Sequence, residues 1–182
     1  MRVRSKWSRK DKTHSAEEIG GALAFIAWRI ATNAVLNMEN HDYETSTQEQ
    51  RLDIIAEFLS FTLHIIDRMT IEKFTAEERQ RFMAELGLKS AKHMEDNRRD
   101  VQGPGEYKQA FIELLNERLG EYSACAYSEE DGPSFVMRRL FGDHVTKVMG
   151  AKHQQWVTAQ IMDIEAPDMC RTLDKSLPNL FM

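Results

Sequence analysis

The sequence predicts an all-α protein, a compact helical bundle or orthogonal helical array of about six to seven helices. Three observations point there. Breakers are scarce, with four prolines and nine glycines in 182 residues, which favours long helices over many short strands. Two boxes, Ser15 with Glu18 and Thr75 with Glu78, stand before segments with apolar residues at helical spacing. Such boxes satisfy backbone N–H groups that a helix start leaves free. No alternation of period two is long enough for a strand, and no repeat of about 20–50 residues suggests a solenoid.

Taken in order, the first helix spans 15–38, and the polar stretch ENHDYETST connects it to a second over 48–73. Thr75 opens a third, which reaches Asp96 and is broken or bent at Gly87. NRRDVQGPG reads as a loop, because two glycines flank Pro104. A fourth helix covers 106–126, with Tyr107, Phe111, Leu114, Leu115, Leu119 and Tyr122 at helical spacing. SEEDGPS is a second loop, and Pro133 suits the first turn of the fifth helix, which stops at Gly150. A sixth carries Trp156, Val157, Ile161 and Ile164 and ends at Pro167; a short seventh covers 168–176.

The expected organisation is a basic arm over 1–14 and one all-helical domain over 15–182. The net charge is −5, yet the arm holds Arg2, Arg4, Lys6, Arg9, Lys10 and Lys12 against Asp11 alone. That makes the arm +5 and the remainder −10. An acidic body offers no general phosphate-binding surface. Contact with nucleic acid or anionic membrane is therefore expected only through the arm, where Trp7 adds a stacking or interfacial surface. Cys125 and Cys170 show no CxxC or zinc-ligand spacing, so both read as reduced thiols in a cytoplasmic protein. The run IGGALAFIAWRIATNAVL has the minimum length for a membrane span. Arg29 and Asn33 lie inside it and two acids stand at its head, so it reads as a buried helix whose small residues let neighbours approach.

The chemistry-bearing pattern is on the second helix. Asp53, Glu57, Ser60, His64 and Asp67 are spaced 4, 3, 4 and 3 apart, one continuous stripe along a helix. Nearly everything between is apolar. Such a narrow strip is either the one solvent edge of a central helix or the lining of an internal groove. His64 and Asp67 would reach one ion together, but Glu57 lies about 10 Å along the axis from His64. Further ligands would come from other helices: His93, in the same His-x-x-Asp spacing with Asp96, or His144 beside Asp143. The Glu-x-x-His pairs of di-iron bundles, His-Glu-x-x-His, a phosphate loop and a Gly-x-Ser-x-Gly elbow are all missing from the sequence. FMAELGLKSAKHMEDNRR echoes a helix-turn-helix, but His93 and Asp96 fall where apolar packing is needed.

The leading expectation is a protein-interaction or homodimerising domain with no cofactor. Its basis is wide apolar helix surfaces and an apolar C-terminus, LPNLFM, which either tucks into the domain or packs on another chain. The alternative is a ligand- or metal-binding bundle, an enzyme in one version. There Asp53, Glu57, Ser60, His64, Asp67 and His144 bind the ligand, or His64, Asp67 and His93 hold a divalent transition metal.

Overall fold

The computed structural model describes residues 13–152 and 155–181. Among them are seven α-helices: α1 (Ala16–Asn40), α2 (Gln48–Thr70), α3 (Ala76–Gln102), α4 (Lys108–Ser123), α5 (Phe135–Met149), α6 (Val157–Gln160) and α7 (Ala166–Ser176). One two-stranded antiparallel ladder, β1 (Tyr127–Ser128) with β2 (Gly132–Pro133), forms a hairpin before α5. The protein is an all-α helical array, as its sequence predicts.

Both boxes cap as expected. The Glu18 N–H donates to Ser15 Oγ at 3.1 Å and the Ser15 N–H donates back to Glu18 Oε2 at 3.1 Å. Thr75 and Glu78 do the same at 3.2 and 2.9 Å. Helix α3 differs from expectation in two ways. It runs straight through Gly87, at a cost of about 1 kcal/mol of helix propensity relative to alanine, with Leu115 of α4 packed beside it. It also continues through the polar turn read as a loop, stopping only at Gly103, whose φ of 85° suits glycine.

Pro167 is not a stop either. A π-type turn over Ile161–Glu165 joins α6 to α7 as one rod, and the Ala166 N–H reaches back to the Ile161 carbonyl. A proline inside a regular α-helix would strike the carbonyl four residues earlier; the widened turn beside it relieves that conflict.

Ion pairs and ring contacts give the directions. Glu17 pairs with Arg81 near the starts of α1 and α3, and Trp28 stacks on His93 further along, so these helices run parallel. Gly20 makes their seam close: a Cβ there would lie 2.8 Å from the Phe82 carbonyl oxygen. Helix α2 runs against both and lies at the centre, packed on α1, α3, α4, α5 and α7. Its residues 54–67 are all buried. Phe61 stacks on Phe141 of α5 with centroids 4.1 Å apart, and Phe58 and Tyr122 meet these two rings edge-on. Each such aromatic pair adds about 0.5–1.5 kcal/mol beyond area burial. The apolar C-terminus tucks into the same body: Leu177 and Leu180 are buried, and Phe181 packs on Phe74.

Helix α1 is long and apolar enough to cross a membrane by length and composition, but half of its most apolar window is buried inside the protein.

Candidate functional site

The polar strip of α2 is internal. Glu57, Ser60, His64 and Asp67 are all buried, and only Asp53 is exposed, where it pairs with Arg98 of α3. A solvent edge therefore describes Asp53 alone. Ser60 Oγ donates to the Ala56 carbonyl one turn back, at 2.8 Å, and is satisfied within its own helix.

The acids are met by arginines from other helices. Arg118 of α4 grips Glu57 with both faces of its fork, Nε to Oε2 at 2.7 Å and Nη2 to Oε1 at 2.9 Å. Its remaining nitrogen, Nη1, reaches Glu117 and Glu121, and His144 Nε2 of α5 lies 2.6 Å from Glu121 Oε2. A chain of polar contacts thus runs Glu57–Arg118–Glu121–His144, from the core of α2 toward α5. The bonds to Glu57 hold the Arg118 guanidinium above its ordinary pKa. Paired, both charges tolerate burial; alone, either would carry a desolvation cost of several kcal/mol.

Asp67 is committed in the same way. Arg79 of α3 binds both of its oxygens at 2.7 Å, and Arg68 adds a bond at 2.8 Å. Burial pushes this carboxyl up, but the bonds from Arg79 and Arg68 prevail and hold it below the usual carboxylate range. Three of its roughly four acceptor sites are thus taken by arginines, two on Oδ2 and one on Oδ1.

His64 is 2% exposed, and its ring centroid lies 5.6 Å from that of Tyr122. Burial first, and the nearby Arg68 second, push its pKa down to about 4 against an opposing pull from Asp67. The imidazole is therefore neutral at pH 7. Its Nε2 and the buried Tyr122 hydroxyl have no hydrogen-bond partner among the described residues. Tyr122 is held well above its ordinary pKa, chiefly by burial.

His93 stands elsewhere. It is sandwiched against Trp28 and Phe25 of α1, with burial lowering its pKa. His64 instead faces α4, so His64, Asp67 and His93 are not brought together. Among the described residues, no group of three His, Cys, Asp or Glu side chains is placed to hold a metal ion. The polyanion-contact residues Arg2, Arg4, Lys6, Arg9, Lys10 and Lys12 lie outside the described residues.

The structure thus joins Glu57 and His144, through Arg118 and Glu121. Arg118 and Glu121 lie three apart on α4, a spacing that by itself suggests only an ion pair within the helix. The signal for Arg118 was its place on the buried stripe of α4, with Phe111, Leu115 and Tyr122 at spacings of 4, 3 and 4. A groove of about 510 Å³ opens apart from this network, where the end of α2, the hairpin and the C-terminal tail meet; Met69, Lys73, Tyr127, Asp174 and Phe181 are in its lining.

No family model matches the chain, and no curated protein or solved structure matches it either.

Proposed function

We propose that the chain is a protein-interaction module, with self-association as its first form to test, and that it works through the outer face of α1. One observation carries this reading. Phe25, Arg29, Thr32 and Leu36 form an outward stripe at spacings of 4, 3 and 4, on which Phe25 is 53% and Leu36 is 48% exposed. The Arg29 guanidinium sits 5.9 Å from the Phe25 ring centroid, and the Trp28–His93 stack flanks it. Aromatic and arginine side chains held in place by their neighbours are the types that anchor protein interfaces. Two free thiols, Cys125 and Cys170, fit a reducing, cytoplasmic setting.

Size-exclusion chromatography with light scattering tests the reading. The expected mass is that of two chains at high micromolar concentration, falling to one in the variant F25D/L36D. A clean monomer across that range would reject self-association.

A second reading, a ligand-binding bundle built on the α2 strip, rests on the unpartnered His64 Nε2 and Tyr122 Oη in the interior. Its metal version predicts stoichiometric uptake of zinc or manganese, read by elemental analysis after dialysis.

A further inference from the structure

Among the described residues, four carboxylates are at most 5% exposed: Glu57, Asp67, Glu95 and Glu165. Three have cations. Glu57 has Arg118, Asp67 has Arg79 and Arg68, and Glu95 has Arg99 and Lys108. Glu165, at the end of the π-type turn, has only amides. Asn37 Nδ2 of α1 donates to its Oε1 at 2.8 Å and Gln160 Nε2 donates to the same oxygen at 2.9 Å. No described residue donates to Oε2, and no described cation pairs with the group.

A buried charge without a counter-charge is costly, and the rest of this interior obeys that rule. Glu165 differs in another respect: it lines a cavity of about 170 Å³ between α1 and α7. Asn33, Asn37, Asp168 and Thr172 supply further oxygens there, and Ile30, Ala34 and Met169 supply apolar wall. The volume is well below the roughly 300–1,000 Å³ of drug-sized sites. It matches about six water-sized groups.

We infer that this cavity binds a small primary alkylammonium ion, its N–H groups on Glu165 and the neighbouring side-chain oxygens and its carbon chain against Ile30, Ala34 and Met169. An ammonium brings three donors and the missing positive charge. A hard metal ion would ask for six or more oxygens and has no use for the apolar wall. Asp168 pairs with Arg171, so Glu165 is the acid whose charge remains for the ligand. The site is separate from the outer stripe of α1 and does not depend on self-association.

Calorimetric titration of the full chain with n-butylammonium chloride tests this, with tetramethylammonium chloride, which has no N–H, and magnesium chloride as parallel arms. The expected result is a Kd of about 1 mM or tighter for butylammonium, weakened at least about tenfold in E165Q, with neither other cation competing. The glutamine keeps an oxygen for Asn37 and Gln160 while removing the charge. In amine-free buffer E165Q should melt above the wild type, because the uncompensated charge is gone; melting below it would mark Glu165 as a purely structural acid and overturn the assignment. Equal butylammonium affinity in the two proteins, or binding of magnesium in its place, would also overturn it.

Discussion

Helices α1 and α2 are both long and both rich in apolar residues, yet each places the wrong-looking residues on one face. Helix α2 carries its polar strip inward, and α1 carries Phe25 and Leu36 outward. The inward strip is tolerated because other helices send arginines to it, at 2.7 Å from Arg118 to Glu57 and from Arg79 to Asp67. Among the described residues, Phe25 and Leu36 on the outward stripe stay about half exposed. The contrast separates two uses of an exception to the inside-outside rule. A buried acid that meets a cation joins helices, whereas an apolar side chain left half exposed contributes less to holding them together.

The comparison breaks most severely at Arg118. Truncation to alanine leaves Glu57 buried without its partner, and urea unfolding should show a loss of about 3–5 kcal/mol. Replacing both members, as E57L/R118M, should recover most of that loss, because the cost lies in the orphaned charge.

Acid sharpens the comparison next. The folded-state pKa of His64 lies near 4, below the ordinary 6.5. The unfolded chain therefore binds this proton first, and stability falls as pH drops from about 6.5 toward 4, by up to about 3 kcal/mol. The variant H64L should reduce the fall of the denaturation midpoint across that window, leaving the part due to His93, whose pKa burial also lowers. An unchanged slope would show that His64 is not the group responsible. The smallest effect belongs to α1: with Phe25 and Leu36 about half exposed, F25S/L36S should lower the unfolding free energy of the dilute chain by about 1–2 kcal/mol, less than either change above.

The sequence carried the positions of the elements well where caps and apolar spacing agreed, as at Ser15 and Thr75. It failed where tertiary contacts override local preference. Gly87 looks like a break until Leu115 is packed over it. Asn97 and Arg98 look like loop residues until Arg98 is seen to reach Asp53, 45 positions away. The strip of α2 was legible as a period, but not its electrostatics: Arg118 is 61 residues from Glu57. Pro167 looks like a terminator because a π-type turn leaves no mark in apolar spacing. Glu165 gave no signal, for a lone acid in a mixed segment looks like any surface residue.

The π-type turn has a consequence for the whole C-terminal rod. It adds one residue of phase to the helix, and each residue turns a helix by about 100°. Leu173, Leu177 and Leu180 reach the core only in the present phase. Length between Ile161 and Glu165 is thus fixed as tightly as any side chain, for a shortened turn would swing those leucines into water and carry the tail away from Phe74.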